Sequence, residues 1–178
     1  MPVQIGAPRE STFEEPVRLL SDCHRRVEMF LRVLVNCAER AQPGSPPPSE
    51  LATALRYFRE SAPKHTADEE ESLFPRLARV RAACGPMRRL EADHADAAPQ
   101  HDLVDRVGML WLAEGRLDAD AFAQFRSAVT DLAAMYHRHI EIEDRELFPL
   151  AERVLTADEK REIGREMARR RGPGGQLT

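Results

Sequence analysis

His139-Ile-Glu-Ile-Glu-Asp-Arg-Glu-Leu-Phe-Pro149 has an earlier twin in the same chain, His65-Thr-Ala-Asp-Glu-Glu-Glu-Ser-Leu-Phe-Pro75. Laid over each other without a gap, the two share His, a Glu four residues on, and Leu-Phe-Pro at the same offsets. Glu69 matches Glu143, and Glu70 matches Asp144. Four residues of α-helix rise roughly 6 Å, about one turn, so each His and its Glu share a helix face. Such a pair can reach one metal ion or two adjacent ones. A His-x-x-x-Glu that occurs twice in one local setting is far less expected by chance than a single copy.

The apolar pattern around the twins extends the repeat. Val17, Leu20, His24, Val27, Leu31 and Leu34 alternate three and four apart, the seam of a helix packed in a bundle. A second inward face runs Leu51, Leu55, Phe58, Ala62, His65, Glu69 and Leu73. The third runs Met87, Leu90, His94, Ala97, His101, Val104, Gly108 and Trp111. The fourth runs Phe122, Phe125, Val129, Leu132, Tyr136, His139, Glu143 and Leu147. Ser11-Thr-Phe-Glu14 reads as a capping box for the first helix, Ser49 as the cap of the second, and Asp118 or Asp120 as that of the fourth. Thr156-Ala-Asp-Glu159 is a further capping box, opening a short fifth helix to Arg171. Pro63 and Pro75 should bend the second helix, and Cys84-Gly85-Pro86 should lie past its end. Pro99 interrupts the third.

Two helical hairpins follow. Each carries one lone seam His (His24, His94) and one His-x-x-x-Glu. Packed face to face they make an all-α fold, an antiparallel up-down four-helix bundle over 11–155, with a short fifth helix at 156–171 on or beside it. Residues 1–10 and 172–178 read as flexible ends. Four imidazoles and two carboxylates then converge on the bundle axis. No Lys or Arg on those faces neutralises the carboxylates, and unpaired buried carboxylates cost several kcal/mol each. A metal is the economical solution. Two symmetric half-sites suggest two ions, each with two His and both carboxylates bridging. Imidazole with carboxylate suits iron, manganese or zinc, and the absence of thiolate ligands argues against a structural Cys-type zinc site. His101 is a further candidate ligand, but it lies two turns from His94 and needs a distortion at Pro99.

Composition narrows the rest. The chain has 178 residues, 31% charged and 6% aromatic, with a mean hydropathy of -0.50, as an amphipathic helical protein should. A net charge of -4 gives no electrostatic case for nucleic acid or a membrane surface. No apolar run approaches the roughly 20 residues that span a bilayer. Cys23, Cys37 and Cys84 are scattered and odd in number, as reduced thiols of a cytoplasmic protein are. The expected assembly is a monomer or weak homodimer.

The pattern His…His-x-x-x-Glu-x-x-x-Leu-Phe-Pro, repeated over roughly Glu14 to Val154, resembles the hemerythrin family, in particular its bacterial HHE cation-binding branch. The resemblance implies a carboxylate-bridged non-heme di-iron centre that binds dioxygen, nitric oxide or peroxide-level species. It makes His24, His65, His94 and His139 terminal ligands, and Glu69 and Glu143 bridges. Oxygen-carrying hemerythrins have a fifth His one turn after the helix-three His, where this chain has Ala98, so the resemblance does not extend to reversible oxygen carriage. They also place the last carboxylate five residues after its His. That position is Asp144, which stands as the alternative to Glu143. The function implied is sensing, scavenging or iron handling by a metal-binding protein rather than a dedicated enzyme. A ferritin-like di-iron oxidase or peroxidase, or a helical interaction module with a structural metal, are the competing readings.

Overall fold

The structure is a computed structural model that describes residues 11–172; most of the two ends expected to be flexible, 1–10 and 173–178, lies outside the described residues. The described residues are helical and contain no strand. In order they form α1 (Pro16–Arg40), α2 (Leu51–Glu60), α3 (Ala62–Asp68), a π-helical turn (Glu69–Leu73), α4 (Phe74–Leu77), α5 (Cys84–Glu114), α6 (Ala119–Ile142), a second π-helical turn (Glu143–Leu147), α7 (Phe148–Val154) and α8 (Ala157–Arg171). These make four rods: α1, then α2 through α4, then α5, then α6 with α7. The first packs on the second and fourth, and the third on those same two, closing an antiparallel bundle.

Every seam position named above is buried or half-buried. The apolar ones fall into two clusters. One holds Leu34, Leu51, Leu55, Trp111, Phe125 and Leu132. The other holds Leu20, Leu73, Leu90, Leu147, Ile163 and Met167. His24 lies between Leu20 and Val27, and His94 between Leu90 and Ala97, so the polar residues form a layer where the two clusters meet.

The prolines set local geometry. At Pro63 the second rod breaks: Ser61 caps α2 with its N–H on the Tyr57 carbonyl, and α3 restarts at Ala62. Pro75 and Pro149 each follow a π-helical turn. In these turns the N–H of Phe74 reaches back to the Glu69 carbonyl, and that of Phe148 to the Glu143 carbonyl. The longer, five-residue reach resets the hydrogen-bond register just before a residue that has no N–H. Pro99 does not interrupt α5. It sits on the exposed face, as does Ala95, whose carbonyl loses its helical donor and is open to solvent.

Three sequence expectations about helix ends need correction. Ser11 and Glu14 form no capping box. The helix starts at Pro16, whose fixed φ and missing N–H suit a first helical position. Instead the Ser11 N–H donates to Asp22 Oδ2 at 3.0 Å, drawing the preceding segment across α1. Ser49 does not cap α2; its hydroxyl donates to Glu50 Oε2. Cys84-Gly85-Pro86 is the first turn of α5 rather than the region past a helix end, because an N–H in a first turn has no intrahelical partner to lose. The second rod already ends at Leu77, in turns closed by Val80 N–H on Leu77 O and Ala83 N–H on Val80 O. Asp118 does cap α6, accepting from Ala121 N–H at 2.8 Å. The Thr156–Glu159 capping box is complete.

α8 packs on α1, α3 and the first π-helical turn. Arg76 pairs with Glu166 at 2.9 Å, and the buried Asp68 takes Arg170 and Arg171 at 2.9 and 2.7 Å. Gly164 meets the N-terminal segment so closely that a Cβ there would lie 1.8 Å from the Phe13 carbonyl oxygen.

Candidate metal centre

The structure brings His24, His65, Glu69, His94, His139 and Glu143 into one layer, all buried except the half-buried His94. Glu69 and Glu143 are fully buried. Their donor atoms fall into two overlapping groups, one of His24, His65, Glu69 and Glu143, the other of Glu69, His94 and His139. Glu69 presents Oε1 to His65 Nε2 at 3.1 Å and Oε2 to His94 Nε2 at 3.5 Å, so its two oxygens face different groups. Glu143 Oε2 lies 3.0 Å from His24 Nε2 and 3.2 Å from His139 Nε2. Each hairpin keeps its own imidazoles together: the His24 and His65 rings are 5.0 Å apart, and those of His94 and His139 are 4.6 Å apart.

None of the four oxygens of Glu69 and Glu143 accepts a well-formed hydrogen bond, and neither does His24 Nε2. Buried polar atoms are nearly always satisfied, so such a concentration of orphan donor atoms is the mark of a site built for a cation. Electrostatics point the same way. Burial, then repulsion from Glu143, pushes the Glu69 carboxyl well above the usual range. Burial would do the same to Glu143, but the His139 and His24 rings beside it hold it below. His24 is opposed by burial, yet Asp144, Glu143 and Glu69 together keep its imidazolium favoured. Burial and the neighbouring His24 depress His65 strongly. Imidazole nitrogen and carboxylate oxygen are a donor set for a divalent transition metal, and the two groups could hold metal ions.

Asp144 occupies a different place from Glu143. Its Oδ1 meets the outer nitrogen of His24, Nδ1, at 3.0 Å and accepts from the Ser21 hydroxyl at 2.7 Å. Its repeat partner does the same job in the other half: Glu70 Oε1 lies 2.7 Å from His94 Nδ1. Asp93 lies 3.5 Å from His139 Nδ1. Carboxylates on outer nitrogens fix the tautomer that leaves Nε2 as a lone-pair donor. Glu70 sits in an acidic run that reads as solvated surface from sequence alone. The signal that could have found it was already present: Glu70 aligns with Asp144 in the twin motifs.

His101 is not part of either group. Its Nε2 pairs with the Tyr136 hydroxyl at 2.8 Å, and α5 runs straight through Pro99 without the distortion that would carry it inward. His137 is exposed. Phe148 stacks on the His24 ring at 5.2 Å, and Leu73 and Leu147 are fully buried beneath the layer. The three cysteines are unpaired, and no helix among the described residues is long and apolar enough to cross a membrane.

Residues 15–151 match the family profile described as the hemerythrin HHE cation binding domain. An uncharacterized protein of Haemophilus influenzae is 28% identical over 178 residues, covering 95% of this chain and 98% of that one. No solved structure matches the chain.

Proposed function

The chain belongs to the hemerythrin HHE cation-binding domain family, and on that premise we propose that it is a non-heme di-iron protein that binds or reacts with small oxidants, namely dioxygen, nitric oxide or peroxide. The observation that carries this reading is the pair of fully buried carboxylates whose four oxygens lack hydrogen bonds and which lie against the imidazoles of both hairpins. In this reading His24 and His65 would hold one ion and His94 and His139 the other, with Glu69 and Glu143 shared between them. Iron would supply electrons and an open coordination position to the oxidant; zinc or manganese would fit the same donors.

The chain's own contribution is to orient and to shield. Asp144 and Glu70 fix the rings of His24 and His94 through their outer nitrogens. Phe148, Leu73 and Leu147 exclude water from one side of the layer. The role is binding, sensing or scavenging rather than dedicated turnover, in a reducing compartment such as the cytoplasm, where three unpaired thiols persist. A ferritin-like oxidase centre is built from more carboxylates and from Glu-x-x-His spacing, so this His-rich set favours the hemerythrin-like reading.

The test is an optical spectrum of anaerobically iron-loaded protein before and after exposure to air, nitric oxide or peroxide. New near-ultraviolet charge-transfer bands are expected. Bound iron with no spectral response to any of the three would overturn the oxidant reading.

A further inference from the structure

An apolar recess beside the cluster is not used by anything described so far. A cavity of about 360 Å³ opens at the Pro63 break, between the α2–α3 junction and α5. Its walls are mostly apolar, with Leu55 and Phe58 on one side and Ala97, Ala98 and Val104 on the other. Its inner end is formed by His94 and Tyr136. Tyr136 and His94 also line the small recess enclosed by His24, His65 and His139, so the cavity ends against the cluster. A water-sized molecule occupies about 30 Å³. The cavity is therefore about ten times larger than a diatomic or peroxide requires, and it falls within the range of small organic ligands, about 300–1,000 Å³.

The polar groups define what such a ligand looks like. At the rim, Arg59 is already paired with Asp105 at 3.0 Å, and Asp102 adds a further carboxylate, so an anion is disfavoured. Inside, alongside Thr66 and His94, the Tyr136 hydroxyl and His101 Nε2 form a pair 2.8 Å apart. The Phe58 ring stands beside both, 5.3 Å from His101 and 6.2 Å from Tyr136 by ring centroid. After one hydrogen bond a phenolic oxygen keeps its lone pairs if it donated, or its proton and one lone pair if it accepted, so this pair can still engage a ligand hydroxyl. An aromatic wall beside a hydroxyl-binding pair in a neutral pocket suits an aromatic alcohol.

We propose that this cavity binds a small neutral aromatic alcohol of the phenol class, with its ring against Phe58 and its oxygen at the Tyr136–His101 pair. The chain then holds two ligand sites side by side, one for an oxidant at the cluster and one for an organic molecule next to it. The cavity site stands on its own walls and does not depend on which metal the cluster holds.

The test is ligand-observed NMR titration of the full chain with phenol, run on iron-loaded and on chelator-treated protein. Saturable one-to-one binding is expected in both. Ala98→Trp, at an exposed position on the cavity wall, should abolish binding with an unchanged melting temperature. Tyr136→Phe should weaken it about three- to tenfold, the value of one neutral hydrogen bond. Benzoate should not compete. The proposal is overturned by the absence of saturation with phenol, by undiminished binding to Ala98→Trp, or by benzoate binding as well as phenol does. Loss of the optical response to oxidants would leave it untouched.

Discussion

Asp68→Ala tests how the C-terminal helix is tied to the metal layer. Asp68 is fully buried and immediately precedes Glu69. Its Oδ2 receives Arg171, whose side chain is only 8% exposed, and its Oδ1 receives Arg170, which keeps a second partner in Glu71 at 3.0 Å. Deleting the carboxylate leaves Arg171 buried without a counter-charge. Breaking a buried pair from one side costs about 3–5 kcal/mol. The Arg170 arm lies nearer the surface and adds at most about 1 kcal/mol. The last turn of α8 can swing toward solvent and relieve part of the cost, so a net loss of about 3 kcal/mol is expected. At about 2–4 °C per kcal/mol for a chain of this size, the melting temperature should fall by about 6–12 °C. The assay is thermal unfolding by circular dichroism with chelator present, so that metal content does not differ between variants. Arg171→Ala in the same background should recover part of the loss, because the orphaned charge is gone. A fall below about 3 °C, or strict additivity of the two substitutions, would refute the claim that this pair fastens α8.

His101 gives a pH signature separate from the cluster. Burial lowers its pKa from 6.5 to about 4, so between those values the folded chain binds fewer protons than the unfolded one. The stability tied to it is whole above pH 6.5 and drains away as pH falls toward 4, by up to about 3 kcal/mol; chelator-treated His101→Gln should show a visibly flatter melting-temperature profile across that window. Gly164→Ala should destabilise by about 1–3 kcal/mol, because the clash is with the Phe13 backbone and not with a flexible side chain. Gly85→Ala meets nothing within 4 Å and should be neutral or slightly stabilising in the same melts.

The bundle and the inner donor atoms were legible because both follow helical periodicity. Seam spacing of three and four predicts which side chains face inward, and the His-x-x-x-Glu twins ride on that spacing. What escaped depends on backbone hydrogen-bond register, which periodicity does not report. The π-helical turns at Glu69–Leu73 and Glu143–Leu147 are one case, since Leu-Phe-Pro signals a bend without saying how the preceding turn accommodates it. Helix ends are another. Pro16 and Pro86 outweigh nearby Ser and Gly signals because a missing N–H is tolerated in a first turn. Asp144 entered through the family resemblance, as an alternative ligand, and Glu70 was readable only through the repeat, because one position beyond the inner Glu looks like solvated surface. The docking of α8 rests on charges distant in sequence, which local pattern cannot pair.

Iron content per chain, measured by elemental analysis on the wild type, Glu143→Ala and Asp144→Ala after anaerobic loading, tests the central claim most directly. Two irons are expected in the wild type. Glu143→Ala should lose metal, because the carboxylate proposed to be shared by both ions is gone. Asp144→Ala should still load two at saturating iron, with affinity reduced about 10- to 100-fold, as the loss of a group behind a ligand His predicts. A wild type holding one zinc or no metal would contradict the account, as would two irons in Glu143→Ala and none in Asp144→Ala.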